Sequence, residues 1–176
     1  SIILWLIGDG VTWTSANANN IFFAWSLLDY FNVLFYLFGA YFFAVLIRER
    51  DIENWQKILL FAISLPAWWI TATGQSIVDF YQPSCEATNN DFLTNYKFIV
   101  EMAVLAFIMV SAMFAFINGD KTKRKQVSLV ALALILFLAL FASTEYIAST
   151  TGIYEISLYS LFVLPLFLAM IIFSVT

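Results

Sequence analysis

Histidine does not occur in the 176 residues. That absence removes the commonest general base, the commonest metal ligand and the phospho-accepting imidazole, so chemistry that needs an imidazole belongs to another chain or to a further part of this one. The single cysteine, Cys85, excludes an internal disulfide and leaves the redox compartment unmarked. Also missing are a phosphate-binding glycine loop, Cys/His metal spacing, a nucleophile elbow and a mid-helix lysine suited to a retinal Schiff base. These gaps argue against an ATPase, a metalloenzyme, a hydrolase and a rhodopsin-type pump; neither enzymatic activity nor a cofactor is expected of the chain. No Asn-x-Ser/Thr sequon occurs, and Ser1 follows neither a basic leader nor a small-residue cleavage site, so the start reads as a cut end.

Charge is scarce too, at 11% of residues, while 62% are hydrophobic and the mean hydropathy is +0.88. Soluble domains carry roughly 45–50% apolar and about 25% charged residues, and a soluble fold of this composition would expose large apolar patches. Lipid is the expected solvent. Crossing about 30 Å of hydrocarbon at 1.5 Å per residue takes roughly 20 apolar residues. Five segments qualify: helix B at about Ile21–Ile47, helix C at Trp55–Phe80, helix D at Leu93–Asn118, helix E at Gln126–Tyr146 and helix F from Ile156 to the end. Ser1–Ile7 is apolar but too short, and is expected to be the second half of a trimmed spanning helix A. The expected fold class is therefore all-α, a polytopic transmembrane bundle of five full spans plus one partial helix, forming a single domain over residues 1–176.

Basic residues set the orientation, because cytoplasmic loops are enriched in Lys and Arg. Arg48, Arg50 and Lys57 lie between helices B and C, and Lys121, Lys123, Arg124 and Lys125 between D and E, together seven of the eight basic residues. Those two connections are expected inside. Val11–Asn20, Asp79–Asn95 and Glu145–Glu155 contain no Lys or Arg, are polar or acidic, and are expected outside, and helix F then runs inward. Asp79–Asn95, with Pro83, Cys85, Asn89 and Asn90, reads as a lid-sized loop without helical or strand period.

Polar side chains inside such helices cost free energy and often mark function. Helix B carries Asp29, Asn32 and Tyr36 on one stripe, helix C carries Thr71, Gln75 and Asp79, and helix D carries Thr94, Lys97 and Glu101, all toward the outer half. With Asp9, Glu145 and Glu155, they suggest an outward-opening, net-negative cavity for a small ligand or a cation, lined by Asp29, Asn32, Tyr36, Gln75 and Glu101. A plainer reading places the outer carboxylates in headgroups or loops and makes Lys97 and Glu101 a local i,i+4 pair, of a few tenths of a kcal/mol. Asp29 and Glu101 stand apart, since both should lie below the interface, where a carboxylate needs a partner. Pro66 and Pro165 fall within helices, as hinges or as static kinks. Trp5, Trp13, Trp25 and Trp55 suit interfacial anchors, and the deeper Trp68 and Trp69 suit packing.

The final stretch, GIYEISLYSLFVLPLFLAMIIFSVT over Gly152–Thr176, resembles the last membrane helix of the seven-transmembrane sensor region at the N-terminus of many bacterial histidine kinases. Tyr154, Glu155, Ile156, Tyr159, Leu161, Phe162 and Pro165 carry the likeness. Trp5, the Asn-rich turn Asn17–Asn20, and Cys85-Glu86-Ala87 with Tyr96 are similar in spacing. The resemblance implies helices two to seven of such a region, trimmed at both ends. It departs from the family in having no basic exit after Thr176, no histidine-bearing dimerisation helix and no ATP-binding domain.

Together these readings predict a multi-pass sensory domain of the cell inner (plasma) membrane, coupling an outward polar pocket to a cytoplasmic signalling partner in a two-component system. Its expected partners are the lipid bilayer, a small-molecule or cation ligand, and a second copy or a cytoplasmic kinase domain, with no nucleic acid. The alternatives are a small cation or proton transporter, weakened by the lack of paired broken helices, and an accessory subunit of a larger membrane complex.

Overall fold

The computed structural model describes residues 2–81, 86–119 and 121–151, with Ile156, Tyr159, Pro165, Phe167, Ala169 and Met170 from the last segment. Cys85, Glu155, most of the expected helix F and the side chains of Trp5, Asp9 and Trp13 lie outside the described residues. Five helices are described, α1 (Ile2–Thr14), α2 (Ala18–Arg48), α3 (Asn54–Ala72), α4 (Asp91–Asn118) and α5 (Lys121–Thr151). Between α3 and α4, β1 (Ile77–Tyr81) and β2 (Glu86–Asn89) pair antiparallel, with a register irregularity between Ile77 and Asp79.

The protein is thus mostly helical, and three helices are long and apolar enough to cross a membrane: Ala18–Arg48, Asp91–Asn118 and Arg124–Ala148. The 13-residue α1 is longer than its expected seven-residue apolar run, yet at about 1.5 Å per residue it covers only about 20 Å, short of a bilayer. The 19-residue α3 contains Asn54, Gln56, Lys57 and Pro66, which lower its hydropathy.

Helix ends follow local chemistry. The Asn17 side-chain oxygen accepts from the Asn19 N–H at 2.9 Å and caps the start of α2. α3 stops eight residues before the expected Phe80. Gly74 takes a left-handed φ of 71°, Gly74 N–H donates to Thr71 C=O at 3.1 Å, and Gln75 N–H donates to Ile70 C=O at 3.0 Å. These are the two bonds of a Schellman motif, which closes the helix and turns the chain into β1. The hairpin also corrects the purely helical expectation and the reading of Asp79–Asn95 as a structureless loop. Its strand β2, Glu-Ala-Thr-Asn, has little intrinsic strand preference, so its pairing depends on partners elsewhere in the chain.

Two compact units result, Ser1–Phe38 with Asn54–Val100, and Gly39–Glu53 with Glu101–Thr176. In the first, Ile21, Ala24, Leu28 and Val33 of α2 are buried, with Ala67 of α3, Ile77 and Ala87 of the hairpin and Leu93 of α4. Gly8 lets α1 approach α2: a Cβ there would stand 3.0 Å from a Leu28 methyl carbon. In the second, Phe43, Val104, Ile108, Val130, Leu134 and Leu138 are buried, and Phe137 stacks on Phe167 at 4.9 Å. Large apolar side chains are exposed in both, among them Phe23, Phe61 and Trp69 in the first and Val110, Met113 and Leu136 in the second. So many exposed large apolar side chains are uncommon on soluble monomers.

Candidate functional site

Within the first unit several polar side chains are buried, among them Ser26, Asp29, Asn32, Ser64, Ser76 and Lys97. Asp29 sits 11 residues into α2, roughly 16 Å from its start, and Lys97 six residues into α4, roughly 9 Å from its start. Each belongs to the buried stripe of its helix, Asp29 beside Leu28, Asn32 and Tyr36, and Lys97 between Leu93 and Val100. Their side chains meet, with Lys97 Nζ 2.5 Å from Asp29 Oδ1 and both side chains 5% exposed. Asn89, at the end of β2, donates from Nδ2 to the same carboxylate oxygen at 3.1 Å. One carboxylate therefore gathers two membrane-length helices and the hairpin.

The backbone around this cluster is bonded to match. Asn90 N–H donates to Ser76 C=O at 2.8 Å, and its Nδ2 donates to Gln75 C=O at 3.3 Å, closing the base of the hairpin. Asn90 Oδ1 accepts from Phe92 N–H at 2.8 Å and so caps α4. One turn on, the Tyr96 hydroxyl donates to Ile63 C=O of α3, next to Ala62, whose carbonyl Pro66 leaves without its helical N–H donor. The chain that leads from hairpin to ion pair, Asn89 through Lys97, is thus held at both ends.

A charged pair taken out of water is paid for in desolvation, and it persists only where geometry and further hydrogen bonds offset that penalty. Lys97 neutralises Asp29, and Asn89 adds a neutral donor. The arrangement can hold a carboxylate away from water, and a cation arriving at Oδ1 or the loss of the Asn89 donor would change the balance of contacts there.

Of the residues expected to line one pocket, Asp29, Asn32 and Tyr36 share the buried face of α2. Gln75 does not join them. It lies beyond the end of α3, is exposed, and contributes its backbone carbonyl to the hairpin base, so the expected helical stripe Thr71–Gln75–Asp79 does not exist. Asp79 is exposed in β1 opposite Thr88. Glu101 is buried, at 4% exposure, in the second unit. Lys97, which the plainer sequence reading placed beside Glu101, engages Asp29 across the two helices. Asn89 was expected only as a loop residue, and no local pattern marks it. A signal for the pair did exist, since a lysine within a long apolar helix needs a carboxylate partner, and Asp29 and Glu101 are the buried carboxylates of α2 and α4.

No protein family, no curated protein and no solved structure matches the chain.

Proposed function

We propose that the chain is a signal-receiving membrane module. Five spans, the fourth and fifth being α5 and the segment after it, cross the cell inner membrane together with the partial α1, and the β1–β2 hairpin faces outward. The observation that carries this reading is the junction at Asp29, where the hairpin, α2 and α4 share one carboxylate oxygen. A ligand or membrane change that shifts the hairpin alters the balance at Oδ1, and α2 and α4 lead from there to the basic connections at Arg48–Lys57 and Lys121–Lys125. Signalling of this kind needs two bundle states of different affinity for the stimulus. The likeness of Gly152–Thr176 to the last helix of histidine-kinase sensor regions supports a cytoplasmic kinase domain as the partner that reads the movement.

A cation or proton carrier is the second reading, and the same junction favours it in one respect: a proton or cation that takes Asp29 frees Lys97. One experiment separates the two. The chain is fused to a histidine-kinase output domain and, in parallel, reconstituted in liposomes under a cation or pH gradient. The sensor reading expects Asn89→Ala and Asp29→Asn to shift kinase output by severalfold, with no protein-dependent flux. Flux that Asp29→Asn abolishes, with kinase output unmoved by either substitution, would establish the carrier and sink the sensor.

A further inference from the structure

Pro66 stands inside α3, where its ring lacks the N–H that would close on Ala62 C=O and crowds that carbonyl. The helix is weakest there, and two hydroxyls serve the carbonyls on either side. Ser64 Oγ, buried on α3 itself, donates to Phe61 C=O at 2.8 Å. The Tyr96 hydroxyl, from α4, donates to Ile63 C=O. Borrowed donors of this kind are how a proline is tolerated within an apolar helix. The Ser64 bond travels with α3, whereas the Tyr96 bond ties the bend to another helix.

The two halves of α3 differ in packing. After the proline, Ala67 is fully buried and Ile70 and Thr71 are half-buried. Before it, no residue from Asn54 to Ile63 is buried, and Trp55, Ile58, Leu59 and Phe61 are exposed. A half-helix with so few buried contacts is the part that can move. Tyr96 precedes Lys97, a rotation of about 100° around α4, so one turn of α4 holds the bend of α3 with one side chain and Asp29 of α2 with the next. The same stretch begins at Asn89 and Asn90, which bond Asp29 and the hairpin base.

We propose that Pro66 is a working hinge and that the Tyr96 hydroxyl is its latch. With the latch made, α4 supplies a donor to Ile63 C=O and α3 keeps one bend. A displacement of the first turns of α4, such as the loss of Asn89 from Asp29 would cause, withdraws the hydroxyl. The carbonyl then loses its donor from α4 beside a proline, and the half from Asn54 to Leu65 changes its angle. α3 is thereby a third path, beside α2 and α4, from the Asp29 junction to the connection at Arg48–Lys57. The device serves a signal receiver and an ion carrier alike.

The test uses the full chain in lipid nanodiscs carrying Cys85→Ser, Phe38→Cys and Ile58→Cys, with spin labels on the two introduced thiols and their separation read by pulsed electron resonance. Both labelled positions are exposed and lie in the first unit. Ile58 is roughly 12 Å of helix from Pro66, so a change of bend of about 20° moves its label on the order of 4 Å. Tyr96→Phe keeps the ring that stacks on Phe92 and removes only the hydroxyl. It is expected to shift or broaden the separation by about that amount. Pro66→Ala restores the helical N–H and is expected to give one narrow separation that Tyr96→Phe no longer alters. Asn89→Ala, with Tyr96 in place, is expected to reproduce the Tyr96→Phe shift when Pro66 is present and to have no effect beside Pro66→Ala; it decides the question if Tyr96→Phe does not fold. An unchanged separation in Tyr96→Phe overturns the proposal. So does a shift of equal size with and without Pro66, since Tyr96 would then hold α3 as a rigid rod. Asn89→Ala leaving the separation unchanged overturns it too, because the latch would not answer to the junction.

Discussion

Lys97 reaches Asp29 across 68 positions of sequence, Nζ to Oδ1 at 2.5 Å, and both side chains are buried. The pair decides which face α4 turns toward α2, because rotating either helix would strand a charge among apolar side chains. Removing one partner is therefore far worse than removing both.

Asp29→Leu and Lys97→Leu are each expected to destabilise by about 3–5 kcal/mol, whereas the double replacement should recover part of that loss, since it removes both charges of the pair together. A double-mutant cycle from thermal unfolding in detergent measures this. Single losses below about 1 kcal/mol that simply add would show that the two side chains do not depend on each other.

Asn89→Ala removes a donor to a charged acceptor, a bond of about 1.5–3 kcal/mol. The hairpin should then open more readily, because an isolated two-stranded hairpin is marginal in water. Amide hydrogen exchange over Ile77–Tyr81 and Glu86–Asn89 is expected to quicken at least tenfold, with α5 unaffected. Unchanged exchange in the two strands would mean that Asn89 does not tether them.

Gly74 has a φ of 71°, and a Cβ added there would meet nothing within 4 Å. The penalty of Gly74→Ala is then conformational alone, about 1–2 kcal/mol for a left-handed residue with a side chain. The melting temperature should fall, with Gly74→Asn falling less because Asn tolerates this region. Equal stability of all three would remove the Schellman stop as the reason α3 ends where it does.

Topology is checked at Cys85, which in sequence lies between the two strands. A membrane-impermeant thiol reagent applied to intact cells is expected to label it. Labelling that appears only on lysis would place the hairpin inside and invert the orientation read from the basic loops.

Much of this was legible residue by residue. The long apolar runs at Ile21–Ile47, Leu93–Asn118 and Gln126–Tyr146 require helices, because only a helix satisfies its own backbone in lipid, and α2, α4 and α5 occupy those runs. That Asp29 and Glu101 turn away from the surface followed from the same cost of stranding a charge, and both are buried. Two things were decided only in three dimensions. The apolar stretch from Ile58 to Val78 gave no hint that the helix stops at Ala72, because whether a chain with φ free at Gly74 continues or turns depends on what the next segment can bond; here Ser76, Gln75 and Asn90 supply the bonds. That Lys97 meets Asp29, 68 residues away, was likewise not legible, because the spacing offered only Glu101, one turn along the same helix; the contact belongs to the packing of α2 against α4, which brings Asp29 within reach and buries both charges together.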